Sequence, residues 1–299
     1  MQISIANHSS YPTDGGPSIA AVAAEQAAAG LDLVTDGQIN WRDPISHFMA
    51  TLGGVRLGGR RTFFNSTRTF QQPIVNAPVT RGRSDLLANF HQARGAVTVP
   101  VKPIVTGPYT LARLSRIEPS AYAHYQNFAV DLSAILAHEV AALAAAGATV
   151  IQIEEPAICY DGLHDIRLLR NLFEPLYAAR GNAEIAIATY GGDADPIYPQ
   201  LNSIPADIVA VDLTGSTALW DTIASTGSGK TLALGVVDGR DSTLEDPVAL
   251  ASRLDRLLRR YAPDAIYLQP SCGLRSLTPT QARAKLMLLA AVRRHLQAV

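Results

Sequence analysis

Short apolar runs alternate with longer alanine- and leucine-rich stretches along almost the whole chain. The runs Ile3–Ala6, Leu31–Val34, Lys102–Thr106, Thr149–Ile153, Glu184–Ala188, Asp207–Val211, Leu232–Val236 and Ala265–Leu268 predict strands. The stretches at 17–29, 42–52, 84–94, 121–146, 164–179, 195–202, 216–225, 246–260 and 278–297 carry helical spacing. Strand, helix and strand at this spacing imply parallel βα units, and eight of them predict an α/β fold of the (βα)8 TIM-barrel type. A doubly wound open sheet is the alternative. Residues 53–82 break the rhythm. Gly53-Gly54, Gly58-Gly59 and the alternation from Arg61 to Phe70 predict a β-hairpin insertion placed to cover part of the barrel mouth. No linker or low-complexity tract divides the chain, so one domain is expected over residues 1–299.

Composition narrows the function classes. With 299 residues, 47% of them hydrophobic, the chain can bury a full core. A net charge of −1 gives no long-range field favouring nucleic acid or an anionic membrane. The N-terminal segment Met1–Ala6 lacks the basic start and long apolar stretch of a signal peptide. The apolar stretch 134–150 contains His138 and Glu139 and is too short for a membrane span. Cys159 and Cys272 cannot form a disulfide scaffold, so reduced thiols and a cytoplasmic setting are expected.

Polar residues follow each predicted strand, where a barrel builds its active site. They are Asn7–Tyr11, Thr35–Gln38 with Arg42-Asp43, Thr106–Thr110, Glu154-Glu155, Thr189-Tyr190, Asp212–Thr214, Asp238–Arg240 and Cys272. Each has a bland reading: glycine and proline there make turns, Asp and Ser cap helices, and a lone cysteine packs as a small hydrophobe. Adjacent carboxylates are harder to dismiss. Glu154 and Glu155 point to opposite faces, and one of them enters the barrel, where an unpaired charge is costly. The segment Gly227–Thr231 looks like a phosphate loop, but a helix precedes it and a strand follows it, the reverse of what that motif requires. Of the histidines, His8 is the one near the predicted mouth.

In this order the segments resemble cobalamin-independent methionine synthase in its short, single-barrel form. Ser9-Ser10-Tyr11-Pro12 is similar to the family's Gly-Ser-Phe/Tyr-Pro, and Thr35–Gln38 with Arg42-Asp43 to its Asp-Gly-Glu…Arg-x-Asp. Thr106-Gly107-Pro108 matches a Gly-Pro turn. Ile151–Ala157 resembles Ile-Gln-Ile-Asp-Glu-Pro-Ala, and Pro270–Leu274 resembles Pro-Asp-Cys-Gly-Leu. The resemblance implies methyl transfer from a methyl-tetrahydrofolate to homocysteine sulfur, with the thiol held on zinc by His, Cys, Glu and a second Cys. It places Cys272 and Asp212 as metal ligands, Asp212 standing for the Glu. It places Ser10, Gln38, Glu154, Glu155 and Tyr190 around the substrate, and Cys272, Asp238 and Arg240 at the chemistry. The chain departs from the pattern at four points. Thr189-Tyr190 stands where the His-x-Cys pair is expected, Arg240 replaces an acid His, Gln38 replaces a Glu, and Asp212 is one methylene short. Thr189-Tyr190 and Gly235–Arg240 look more like the zinc-free barrel of the family's two-barrel form.

Three readings follow. The first is a methyltransferase acting on homocysteine or a related thiol, with zinc completed by His8 or solvent, and with a methyl-tetrahydrofolate or a methylcobamide as donor. The second is a zinc-free relative acting on an anionic small molecule, with Arg240 as the anion's partner and Cys272 as a covalent nucleophile or a relic. The third is a non-catalytic ligand-binding barrel. A small molecule is the expected partner in each; a corrinoid protein or a second copy of the chain stays open.

Overall fold

The eight apolar runs form a ring. A computed structural model describes residues 1–64 and 66–298. In chain order the elements are β1 (Gln2–Ile5), α1 (Ile19–Ala28), α2 (Ser46–Met49), β2 (Gly53–Thr62), β3 (Thr69–Thr80), α3 (Leu86–Arg94), β4 (Ile104–Thr106), α4 (Pro108–Leu114), β5 (Arg116–Ile117), α5 (Tyr125–Ala145) and β6 (Val150–Glu154). They continue with α6 (Ile158–Asp161), α7 (Ile166–Ala178), β7 (Glu184–Ala188), α8 (Tyr198–Leu201), β8 (Ile208–Asp212), α9 (Ala218–Thr226), β9 (Thr231–Val237), α10 (Pro247–Tyr261), β10 (Ala265–Pro270) and α11 (Pro279–Gln297).

Seven parallel strands run in the order β1-β10-β9-β8-β7-β6-β4. The gap between β4 and β1 is filled by the run expected at Leu31–Val34. It bridges Ala6 through Leu33 and Val101 through Val34, both parallel. Backbone bonds Asn7 N to Leu33 O (3.1 Å) and Lys102 N to Val34 O (2.7 Å) close the circle. This eighth strand is short because the Asp32 side chain, not the backbone, accepts the Ile5 amide at 2.7 Å. The architecture is the TIM barrel that the periodicity predicts.

Side-chain size tells the two faces of the ring apart. Ala6, Leu33, Val150, Ala186, Ala188, Ile208, Ala210 and Ala233 form a small interior cluster capped by Tyr267. Ile5, Ile151, Ile153, Ile185, Ile187, Val209, Val211, Leu232, Leu234 and Leu268 face the helices in the main core. An eight-stranded ring has an interior just wide enough for side chains, which favours alanine inside, and both faces are apolar because both are buried. Register carries the inward set to the top of each strand. Gln152 pairs with Ile104 and Glu154 with Thr106, so Glu154 shares the inward face with Gln152. A register shift between Gln269 and Pro270, opposite Gly235 and Val237, bends the ends of β9 and β10 where Asp238 and Cys272 emerge.

The hairpin is present. β2 and β3 pair antiparallel and β5 adds a third, parallel strand; residue 65, within the hairpin expected at 53–82, lies outside the described residues. Two helical expectations need correction. The stretch 42–52 is helical over Ser46–Met49 alone, because Asp43 accepts the amides of Ile45 (2.9 Å) and Ser46 (2.6 Å) and turns the chain first. The segment after β4, read as a turn, starts helix α4 with Pro108 in its first turn. Helix α5 is long and apolar enough to cross a membrane, but it packs against α4 and α7 and half of its apolar window is buried in the fold.

Candidate active site

The strand ends converge on a mouth roofed by the hairpin. A cavity of about 310 Å³ is lined by Ser10, Gln38, Trp41 to Pro44, Phe63, Arg68 to Phe70, Tyr190, Arg275 and Ser276. Phe63 and Phe70 meet edge to face at 6.3 Å, and Phe64 stacks on Tyr160 at 4.3 Å, which pins the hairpin tip across the mouth. Arg68 reaches down from the tip to the Ser276 hydroxyl. Arg275 donates to the carbonyls of Trp41 (2.9 Å) and Gln38. Among the described residues neither arginine has a carboxylate at ion-pair distance; with Arg42 they leave the cavity wall net positive, although Asp43 in the same wall and Asp36 beneath it act on Arg275.

Gln38 sits on a left-handed turn (φ 52°) behind Gly37 (φ 69°), held by its amide bond to Asp36 Oδ1 at 2.9 Å. A non-glycine residue at positive φ is uncommon and marks a position worth holding. Burial pushes the Asp36 carboxyl up to about 6. The Gln38 side-chain nitrogen is buried without a partner among the described residues.

Glu154 is the buried acid of the mouth. Tyr190 donates to its Oε2 at 3.1 Å, Gln152 to its Oε1 at 3.4 Å, and His8 Nδ1 lies 3.4 Å from Oε1. Burial raises the Glu154 carboxyl, opposed by bonds from Ser9 and Tyr190 and by the charge of Lys102. Burial also lowers the His8 imidazole, which Lys102 depresses further, so His8 is neutral. Its ring meets Tyr190 edge-on at 5.1 Å, and its Nε2 has no partner among the described residues.

Glu155 takes a different part from its neighbour. Its oxygens accept the amides of Tyr109 (2.9 Å) and Thr110 (2.7 Å), the orphan donors at the start of α4. Gly107 permits this, since a Cβ there would collide with the Glu155 carboxylate. Of the two glutamates expected around the substrate, Glu155 is thus the one turned to α4, because adjacent residues at a strand end face opposite ways. Burial pushes its carboxyl up to about 7 against the pull of those amides.

On the other side of the mouth, Arg240 ties two strand ends together. It pairs with Asp212 at 3.0 Å and Asp238 at 2.8 Å and donates to Thr214 Oγ1 at 2.7 Å. Asp212 also accepts the Thr214 amide (2.8 Å) and hydroxyl (2.6 Å). Cys272, 4% exposed, lies against Gly239; a Cβ on Gly239 would stand 3.2 Å from its sulfur. Burial pushes the Cys272 thiol up to about 11, although Arg68 and Arg240 pull it down. A thiol so placed is protonated near neutral pH, which opposes the nucleophile reading. The lookalike phosphate loop at 227–231 joins α9 to β9 at the far end of the barrel, where Lys230 Nζ donates to the carbonyls of Ile204 and Ala206. Sequence reasoning missed Lys102 and Gln152, which lie under the mouth; their signal was a lysine and a glutamine at inward positions of otherwise apolar strands.

Fold and mouth together define a (βα)8 enzyme class with its site at the carboxyl ends of the strands. The family described as cobalamin-independent synthase, catalytic domain, matches residues 4–294, and the chain belongs to it. It is 27% identical to a methionine synthase of Saccharolobus solfataricus over 273 residues, covering 90% of this chain and 80% of that one. It is also 27% identical to a methionine synthase of Methanothermobacter thermautotrophicus over 275 residues, covering 90% and 86%. Among solved structures, a B12-independent methionine synthase from Shewanella sp. W3-18-1 in complex with selenomethionine superposes with a TM-score of 0.83 at 23% identity, covering 100% of both chains.

The zinc implied by the resemblance does not fit this donor set. The expected His-x-Cys position holds Thr189, bonded to the Ala210 carbonyl, and Tyr190, bonded to Glu154. Asp212 is committed to Arg240 and Thr214. Among the described residues no three His, Cys, Asp or Glu side chains gather as a metal site needs. The assignment of Cys272 and Asp212 as a metal pair thus meets a guanidinium already seated on the carboxylate.

Proposed function

We propose that this chain is a methyltransferase that moves a methyl group onto the sulfur of homocysteine or a related small thiol. The observation that carries the reading is that two residues of the roofed cavity's wall meet the family signatures: Tyr190 bonds Glu154 after β6, and Arg68 acts on Cys272 after β10. In this reading Glu154, with Tyr190 bonded to it, meets the substrate's ammonium, and Ser10 and Gln38 complete the cradle. Arg68 and Arg275 face its carboxylate. The sulfur–methyl bond forms as the donor's methyl bond breaks. The thiol proton passes to solvent at the open side of the mouth, because burial and the charge of Lys102 disfavour a proton on His8. Asp238 and Arg240 hold the opposite wall.

The donor is a methyl-tetrahydrofolate or a methylcobamide. The former leaves as an amine and needs a proton, which Arg240 cannot give near neutral pH; the latter needs none. The cytoplasm, where Cys159 and Cys272 stay free thiols, is the proposed setting. A second reading, a zinc-free relative acting on another anionic small molecule, is favoured by Arg240 on Asp212 and by the cationic cavity wall.

The test is incubation with homocysteine and either methyl-tetrahydrofolate or methylcobalamin labelled with ¹³C in the methyl group, followed by mass spectrometry. Labelled methionine is expected from one donor. No methionine from either, together with no binding of homocysteine by calorimetry, overturns the reading.

A further inference from the structure

Lys102 stands in the interior of the barrel. Its side chain enters two residues before β4, on the inward face, and is 3% exposed. Ala6, Leu33, Val150 and Ala233 surround it, with Tyr267 and Gln269 from β10. An ammonium moved into such a place is costly unless its charge is answered. Among the described residues no carboxylate stands at ion-pair distance from it. Its hydrogen bond goes to Gln152 Oε1 at 2.5 Å.

That bond fixes the amide. An ammonium donates and cannot accept, so Gln152 turns its oxygen to Lys102 and its nitrogen the other way. The nitrogen then donates to the His8 carbonyl at 3.0 Å and to Glu154 Oε1 at 3.4 Å. With the amide reversed, an oxygen would face the Glu154 carboxylate and the His8 carbonyl, and three acceptors would meet in a dry interior.

We propose that Lys102 is a positioning residue: acting through Gln152, it holds the Glu154 carboxylate and the His8 main chain in place at the mouth from beneath. It touches no substrate. The titratable groups facing Glu154 are His8 after β1, Tyr190 after β7 and Lys102 before β4; Tyr267 is the other one around Lys102. Burial brings the Lys102 ammonium down to about 7 and the charge of Glu154 pulls it up across the barrel interior, so the two groups are coupled by charge as well as by the glutamine bonds. The catalytic consequence rests on the proposed role of Glu154, whereas the coupling itself does not.

The experiment separates the two. Glutamate carboxyls are labelled with ¹³C and titrated by NMR, and the Glu154 signal is identified by its loss in Glu154→Gln. In Lys102→Met the signal titrates at higher pH than in the wild type, because a positive charge is gone and Gln152 is no longer held with its nitrogen towards Glu154. In Gln152→Leu, which keeps the lysine and serves if Lys102→Met does not fold, the shift has the same sign. The double variant moves the signal less than the sum of the two single shifts. In turnover, kcat/KM near neutral pH falls about tenfold or more in each single variant, with the acid limb moved to higher pH. An unmoved Glu154 titration in both single variants, or fully additive shifts, overturns the relay. Absence of methyl transfer with the NMR shifts intact overturns the functional reading and leaves the relay standing.

Discussion

Replacing Arg240 with methionine tests what holds Asp212 at the mouth. The guanidinium makes bonds of 3.0 Å to Asp212, 2.8 Å to Asp238 and 2.7 Å to Thr214. Methionine keeps much of the aliphatic stem and removes the charge. Breaking one partner from a fully buried pair costs about 3–5 kcal/mol. Here the Asp212 side chain is 2% exposed but that of Arg240 is 40% exposed, so water screens part of the interaction. The two Thr214 bonds to Asp212 also survive. The expected loss is therefore about 1–3 kcal/mol. At roughly 2–4 °C per kcal/mol for a large domain, the unfolding midpoint falls by about 4 °C near neutral pH.

The loss also depends on pH. Burial raises the Asp212 carboxyl and Arg240 pulls it back down. A raised carboxyl contributes stability that is fully present below its unfolded-state pKa and is lost as pH rises through the folded one. Without Arg240 the folded value climbs further, so the loss extends to higher pH. The penalty of Arg240→Met is thus larger at pH 8 than at pH 5. The assay is thermal unfolding followed by circular dichroism at both pH values for the wild type, Arg240→Met, Asp212→Asn and the double variant. Asparagine needs no cation, so the double variant recovers most of the loss. An Arg240→Met midpoint equal to the wild type at pH 8, or a double variant as unstable as the two singles summed, refutes the argument.

Other predictions rest on separate contacts. Tyr190→Phe removes a bond to a buried carboxylate and lowers kcat/KM for methyl transfer by about ten- to a hundredfold, corresponding to 1.5–3 kcal/mol, without a matching change in midpoint; kinetics and unfolding on one preparation check it. Glu155→Ala strands two buried amides at the start of α4 and costs about 2–4 kcal/mol in urea unfolding, with Glu155→Gln costing less because one acceptor oxygen remains. Dialysis against zinc leaves the wild type with well below about one equivalent by metal analysis, since a tetrahedral protein site draws on three or four side chains; a full equivalent lost in Cys272→Ser contradicts the mismatch described above.

Much of this protein is written in its apolar pattern. Parallel strands buried on both faces read as short continuous runs, and the run at 184–188 is the strand observed. The hairpin shows in the sequence because paired glycines and alternation interrupt the βα rhythm. The mouth is legible as a set, because a barrel places whatever follows its strands on one rim. Which rim residue does what was settled by contacts between distant segments. Adjacent glutamates carry the same chemistry in sequence, yet Glu154 meets Tyr190 from β7's end while Glu155 meets the amides of α4. Asp212 reads as a metal ligand until Arg240, 28 residues later, is found on it, because pairing between two loops depends on ring closure and leaves no local signal. The interior position of Lys102 follows from strand alternation, but its bond to Gln152, 50 residues away, exists only once β4 and β6 lie side by side. Local periodicity determined the architecture and where chemistry could stand. Closure of the barrel, which brings charges from separate strands within reach of one another, decided the partners and so the chemistry.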